Sequence, residues 1–392
     1  MDRPSFWRQK TFRKNALQAS YVIVLLSIII SATLNARANL EAQGLTSGFD
    51  FLWNSTGWDM NFAVLQTSTS DPYWWYLFVG LLNTLFMGVL GLFFASILGL
   101  IVGMMRAGRN PAGRLMGTIY IELFRNLPII LQLFFWYAIA NTLPAPRQAI
   151  SFAGSLLSSR GIYLPGLNID TQSVAIAVIA ILLSISVGIW TLAARRFRRK
   201  TLSQRLNTFG GIVGVGVVVA LVAAVSGHDA GAPWMSWPTL AGLRIDGGIR
   251  LQPEFYALAL TITTYGAAYI GEIVRGGFKA VGHGQTEAAA ALGLSPWQVF
   301  SRVRLPLAFR ASLPILINQY VWLIKATTLG IAVGFSDFFM VIAGSITHSG
   351  QTIEFIAILM AGFLLINFTL AAVLNRLNKA IALKGHQATG ST

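Results

Sequence analysis

Two carboxylate–guanidinium pairs lie inside otherwise apolar stretches of this chain, Glu122 with Arg125 and Glu272 with Arg275. Residues three apart on a helix share a face, so each pair can form an ion pair. Ionisable groups inside membrane-spanning helices are costly and face the interior of the bundle or a polar path. Near the end of a span, long side chains reach the interface and that cost falls. Two roles therefore stand open for these pairs: structural pairing, or contact with a charged solute. Lys325 sits among apolar residues beside Thr327 and Thr328. It is placed either to pair with Glu122 or Glu272, or to line a path near a substrate carboxylate together with Thr328. Asn83 and Thr84, at the start of another apolar run, read as capping or helix–helix hydrogen bonds. All of these groups bind and orient, and no catalytic constellation of His, Asp and Ser accompanies them. His228, His283, His348 and His386 lack ligand spacing, so no metal site is expected. The absence of Cys excludes thiolate chemistry and disulfides.

Composition says what must position such residues. The 392-residue chain is 55% hydrophobic and 11% charged, which places it among polytopic membrane proteins. A span needs about 20 mostly apolar residues. Eight segments qualify, at about 17–35, 76–105, 117–142, 171–194, 208–226, 254–276, 311–345 and 352–376. The expected fold is all-α with about eight transmembrane helices. The seventh segment is interrupted by Gly and is expected to bend or turn near 334–345. The first has a rival reading, because a basic start, an apolar run and Ala36-Arg37-Ala38 resemble a cleavable leader. Its apolar run is long for a leader and favours a retained anchor.

Charge orients the spans. Of 29 Lys and Arg, only Arg37, Arg147, Arg160, Arg244 and Arg250 fall on one side of the predicted membrane. The other side collects Arg106, Arg109, Arg114, Lys279, Arg302, Arg304, Arg310, both tails and the cluster Arg195, Arg196, Arg198, Arg199 and Lys200. The positive-inside rule then puts both termini in the cytoplasm. The cluster reads as an anchor on anionic lipid. Trp53, Trp58, Trp74, Trp75, Trp136, Trp234 and Trp237 fall near the opposite face, as an interfacial belt does. Basic groups dispersed between apolar runs, without stacking aromatics, speak against nucleic acid. No GxxxxGK[ST] loop occurs, so the chain does not bind ATP by that device.

One polar, helix-forming island stands out on the cytoplasmic side, residues 284–306. Thr286 precedes the helix formers Glu287 to Leu292, and Gly293 sits where a helix would end in a left-handed residue. Glu287, at the predicted helix start, is favoured by the helix dipole by about 0.3–1 kcal/mol. Ser295 reads as an N-cap, with Pro296 at the first helical position and Gln298 completing a capping box. Leu294 and Val299 occupy the positions of a hydrophobic staple. Pro306 is expected to stop the second helix. The prediction is two short helices joined by a fixed elbow, suited to docking a partner protein.

This island resembles the EAA loop of ABC-importer permeases through Glu287, Ala288, Ala289, Gly293, Val303, Leu305 and Pro306, with Val for the usual Ile. Further segments narrow the resemblance: Leu82 to Leu85, Glu122 to Pro128, Tyr269 to Gly277 and Leu323 to Leu329. Together they look like the polar amino acid (histidine/glutamine-type) branch, and the layout is similar to the larger permease subunit of bacterial general L-amino acid transport systems. The resemblance implies a type I importer fold with a five-helix core. It divides the chain into 1–75 (tail, first span and periplasmic loop), 76–143 (first part of the core), 144–253 (an inserted hairpin of two spans with the basic loop), 254–380 (second part of the core, with the coupling loop) and 381–392 (tail). It implies no enzymatic activity and no cofactor in this chain, since ATP and Mg belong to the partner ATPase. Implied partners are a second, homologous permease in a heterodimer, two copies of the cytoplasmic ABC ATPase, a periplasmic amino acid-binding protein and membrane lipid, in the bacterial inner membrane. The implied ATPase-coupling residues are Glu287, Ala288, Ala289, Gly293, Leu305 and Pro306. Two alternatives remain, the same mechanism with an opine or osmolyte as cargo, and a self-sufficient secondary transporter, which would normally show internal repeats.

Overall fold

The structure, a computed structural model, describes residues 10–42, 48–108, 110–170, 202–229 and 231–381, with scattered positions between 173 and 191. The basic cluster 195–200 and nearly all of the tail 381–392 lie outside the described residues, as does much of the fourth predicted span. Among the described residues six helices are long and apolar enough to cross a membrane, or seven if one sharply bent pair counts as a span.

The core is built on two long helices, α2 (Tyr73–Ala107) and α6 (Pro253–Ala280). Their contact is made by small residues at four-residue spacing on α2: Gly91, Ala95, Gly99 and Gly103. A Cβ on Gly91 would stand 2.5 Å from the Ile262 side chain, and one on Gly99 would stand 2.7 Å from Ile270. On Gly103 it would meet the Gly271 carbonyl oxygen at 2.6 Å. In lipid, whose tails are as apolar as the side chains, no hydrophobic force drives helices together, and close backbone approach supplies the dispersion contact that holds spans together.

The third predicted span is broken. α3 (Pro111–Asn126) and α4 (Ile129–Thr142) meet at 102°. Asn110 caps α3, its side chain accepting from the Ala112 N–H at 2.9 Å, with Pro111 in the first turn. Leu127 precedes Pro128 and is extended, as steric clash with the proline ring requires. The Gln132 amide donates to the Phe124 and Leu127 carbonyls at 2.9 and 3.0 Å, satisfying two groups that the corner exposes. Hydropathy runs unbroken through this corner, which is why the sequence reads as a single span.

The seventh predicted span also divides. α9 (Leu305–Lys325) tightens into a 3-10 stretch, Ala326–Val333, and Gly334 closes it in the left-handed region at φ +83. A separate short helix, α10 (Phe338–Ser349), follows with Asp337 as its N-cap, and α11 (Thr352–Ile381) completes the core. The remaining long helices, α1 (Lys10–Ala42) and α5 (Leu202–Ser226), are mostly exposed over their apolar windows.

Short strands join the helices within residues 144–253. β1 (Ile150–Phe152), β2 (Ser155–Ser158) and β3 (Gly161–Leu164) form an antiparallel sheet. It is completed by Ile249–Leu251, Tyr163 pairing with Arg250. The expectation of helices alone did not include these strands, which are too short for alternation to reveal.

Loop 48–72 is folded onto the helix ends. Phe51 packs 4.8 Å from Phe355, and Phe62 stacks 5.1 Å from Phe255 and lies tilted at 5.1 Å from Phe335. Asn83 and Thr84 hold it down. Asn83 is fully buried, donates to the Phe62 and Ser336 carbonyls at 2.9 and 2.7 Å, and accepts from the Val64 N–H at 2.9 Å. Thr84 accepts from the Phe338 N–H at 2.9 Å. Neither residue caps a helix start, since α2 begins at Tyr73. They tie two loops together.

Candidate functional site

The elbow is fixed at both of its ends. α7 (His283–Ala291) closes in a Schellman motif, with the Gly293 N–H donating to the Ala290 carbonyl at 2.9 Å and the Leu294 N–H to Ala289 at 3.3 Å. Gly293 has φ +79, a conformation that costs an L side chain about 1–2 kcal/mol. Two residues on, Ser295 caps α8 (Pro296–Gln298), accepting from the Gln298 N–H at 3.4 Å while its own N–H donates to the Gln298 side chain at 2.9 Å. The capping box and the proline at the first position match the sequence expectation.

Two local expectations do not hold. Glu287 is not at a helix start: α7 begins four residues earlier at His283, so Glu287 lies mid-helix and exposed, away from the dipole's positive end. Pro306 does not stop the second helix. The chain widens into a π-turn over Val299–Arg304, where the Leu305 N–H reaches back to the Phe300 carbonyl. That widening places Pro306 in the first turn of α9, where its missing N–H costs nothing, and the helix continues.

The elbow rests on the end of α6 through aromatics. Phe300 stacks on Phe278 at 5.9 Å and Arg304 lies over the same ring at 5.9 Å. Ala289 and Val299 are buried at the seat, whereas Leu292 (82% exposed) and Trp297 (71%) project from the tip. Each is a large apolar side chain left open to the surroundings on an otherwise polar element. Sequence reasoning had not singled out either residue, although apolar types at the two sides of a Gly turn are a visible signal.

Above the elbow the ionisable residues gather, in a different pairing from the one expected. Arg106, at the last turn of α2, bridges Glu122 at 2.8 Å and Glu272 at 2.9 Å. Glu272 also pairs with Arg275 on its own helix, the Nε contact being 2.8 Å. The Glu272–Arg275 pairing is present, and the Glu122–Arg125 pairing is not. Arg125 instead lies over the Tyr269 ring at 5.0 Å. The reason is geometric: one guanidinium entering between α3 and α6 serves two carboxylates at once, and Arg125 is left to the aromatic face. Arg106 was read only as an orientation charge, and its reach to Glu272 across 166 residues had no local signature.

Lys325 ends α9 and is exposed, and among the described residues it makes no ion pair with Glu122 or Glu272. Thr328 turns its hydroxyl onto the Lys325 carbonyl at 2.8 Å. Of the histidines, His348 stacks on Trp58 at 5.8 Å, and His228 stacks on Trp234 at 3.8 Å while its Nδ1 lies 2.9 Å from the Asn168 carbonyl.

Comparison with known proteins places this architecture. Residues 245–383 match the family model for the binding-protein-dependent transport system inner membrane component. Over 95% of its length the chain is 36% identical to YhdX of Escherichia coli K12, provisionally named an amino-acid ABC transporter permease, covering 95% of that protein. It is 34% identical to the general L-amino acid transport system permease AapQ of Rhizobium johnstonii, with 95% of this chain and 93% of that one aligned. It is also 34% identical to the glutamate/glutamine/aspartate/asparagine transport system permease BztB of Rhodobacter capsulatus, with 95% and 94% aligned. Identity of this level along nearly the whole of three such proteins means that the chain belongs to the permease subunits of amino-acid ABC transporters.

Proposed function

We propose that this permease carries L-amino acids from periplasm to cytoplasm as one half of a heterodimeric pore, with both termini in the cytoplasm of a bacterial inner-membrane complex. A periplasmic binding protein delivers the solute. Each permease presents its elbow to one copy of a cytoplasmic ATPase, which binds ATP and Mg. Glu287, Ala288, Ala289, Gly293, Leu305 and Pro306 belong to the coupling surface, to which the exposed Leu292 and Trp297 add an apolar tip. The observation that carries this reading is an elbow capped on both sides of its bend and seated on the end of α6. A bend fixed in this way passes a displacement at its tip to the attached spans instead of absorbing it.

In this reading Arg106, Glu122, Glu272 and Arg275 hold the cytoplasmic ends of three helices in register, with Arg125 packed beside them. Lys325 and Thr328 face the translocation path, with the Lys325 ammonium available to a substrate carboxylate. Lys325→Met is expected to leave assembly intact and to lower uptake by about tenfold or more, since a hydrogen bond to a charged group is worth about 1.5–3 kcal/mol. Uptake unchanged in a fully assembled Lys325→Met complex removes the path role. The function itself is tested by reconstituting the permease with its ATPase, partner permease and binding protein, and measuring ATP-dependent uptake of labelled amino acids one at a time. Uptake that proceeds without ATP or without the binding protein overturns the proposal. Transport of an opine or osmolyte in place of every amino acid overturns the cargo alone.

A further inference from the structure

Between the elbow and the helix ends lies a cavity of about 950 Å³, walled by the cytoplasmic ends of α2 and α6, the first turns of α3, and the inner face of the elbow. Its charge is one-sided. Arg106, Arg114, Arg275, Lys279, His283 and Arg304 line it, and among the described residues no Asp or Glu does. Arg106 and Arg275 are neutralised from behind by Glu122 and Glu272. Arg114, Lys279 and Arg304 form no ion pair among the described residues: Arg114 donates only to the Gly108 carbonyl at 3.2 Å, and Arg304 lies over Phe278. Three uncompensated cations around one concave space repel one another unless an anion occupies it.

The apolar surroundings say which kind of anion. Phe278, Val281, Leu294 and Phe300 share the lining with the cations. On α3, Leu115 (62% exposed), Met116 (63%) and Ile119 (57%) form an open apolar strip beside Arg114 and Thr118, the two α3 residues that line the cavity. A basic pocket at span ends, continued by an apolar strip along a span, fits a phosphate headgroup with its acyl chains laid upward. We propose that this cavity binds the headgroup of an anionic phospholipid of the cytoplasmic leaflet, with its acyl chains against Leu115, Met116 and Ile119. The lipid then lies between the span ends and Ala290, Leu294 and Val299 of the elbow, so its presence sets the height at which the elbow is seated.

The test uses the assembled complex, purified in mild detergent, with bound phospholipid quantified by mass spectrometry. The parent complex is expected to retain anionic phospholipid in preference to zwitterionic. The double variant Arg114→Gln, Lys279→Gln is expected to bind it about 30-fold more weakly, the equivalent of two interfacial charges at about 1 kcal/mol each. Arg114→Lys with Lys279→Arg should retain it, and so should Arg244→Gln, which removes a charge from the strand region. Equal retention by the double Gln variant and the parent overturns the proposal. Competition in which inorganic phosphate fully displaces the lipid overturns the lipid as occupant and leaves a free-anion site. If the double Gln variant keeps its lipid but sheds the ATPase, these cations seat the ATPase, and the proposal is likewise overturned.

Discussion

Gly293→Val is expected to uncouple the complex, with ATP-driven uptake falling about tenfold or more while the permease inserts and melts as the parent does. No atom lies within 4 Å of the position a Cβ would take at Gly293, so the substitution meets no obstacle in space. The penalty lies in the backbone. At φ +79 an L side chain costs about 1–2 kcal/mol, and a β-branched one stands at the upper end of that range. Escaping the strain means leaving the left-handed region, which breaks the bonds from the Gly293 and Leu294 N–H groups to Ala290 and Ala289. These bonds set the angle between α7 and α8. At about 1.4 kcal/mol per tenfold, that strain alone depletes the correctly bent elbow by roughly an order of magnitude. Gly293→Asn separates this cause from others, because Asn tolerates the left-handed region, and it should lie near the parent. The check is co-purification of the ATPase together with uptake. A valine variant that keeps both at parental level shows the bend to be irrelevant to coupling.

Asn83→Leu should produce the largest loss of stability. The side chain is fully buried and satisfies three backbone groups at once, the Phe62 and Ser336 carbonyls and the Val64 N–H. Leucine fills much of the volume and leaves all three unpaired, at about 1–3 kcal/mol for each buried group stranded. The expected outcome is release of loop 48–72 from the helix ends, seen as faster protease cleavage within it and a lower melting temperature of the detergent-solubilised protein. Thr84→Val, which strands only the Phe338 N–H, should show the same signs more weakly. Parental cleavage and melting in the leucine variant would mean that the aromatic packing of Phe51 and Phe62 holds the loop without help.

The elbow was legible in the sequence because its rules act over a few residues. A left-handed Gly, an N-cap Ser, a Pro beside it and a Gln three residues on each satisfy neighbouring backbone groups, and their spacing is the structure. Glu287 and Pro306 were misplaced for the same reason. The start of α7 carries no capping side chain to mark it, and a π-turn can move a proline to a harmless position without any signature of its own. The spans were legible as apolar runs, but hydropathy averages over direction, so it passed through the right-angled corner at Pro128 and across the turn at Gly334. The dipeptide Leu127-Pro128 did carry the local signal. What no local rule could reach was partner choice among charges. Glu122 and Arg125 satisfy the helix spacing as well as Glu272 and Arg275 do, and only the arrival of Arg106 from another helix decides between them. The small residues on α2 were passed over inside an apolar run, because hydropathy does not register their spacing and nothing in it names α6 as the other wall.

That glycine-lined contact has a dynamical consequence. Side chains that interdigitate can exchange rotamers and let two helices slip past each other by a fraction of a turn; here the glycine backbone of α2 meets the stiff β-branched side chains of Ile262, Ile270 and Val274, which have few rotamers to exchange. α2 and α6 should therefore pivot as one stiff body. α2 carries Arg106 in its last turn and Asn83 well inside its first half, 23 residues apart by number, or about 35 Å of helix at 1.5 Å per residue. A tilt at the ion cluster is therefore expected to reach the Asn83 hydrogen bonds and loop 48–72 undiminished, so that the two ends of this helix pair move together as a lever.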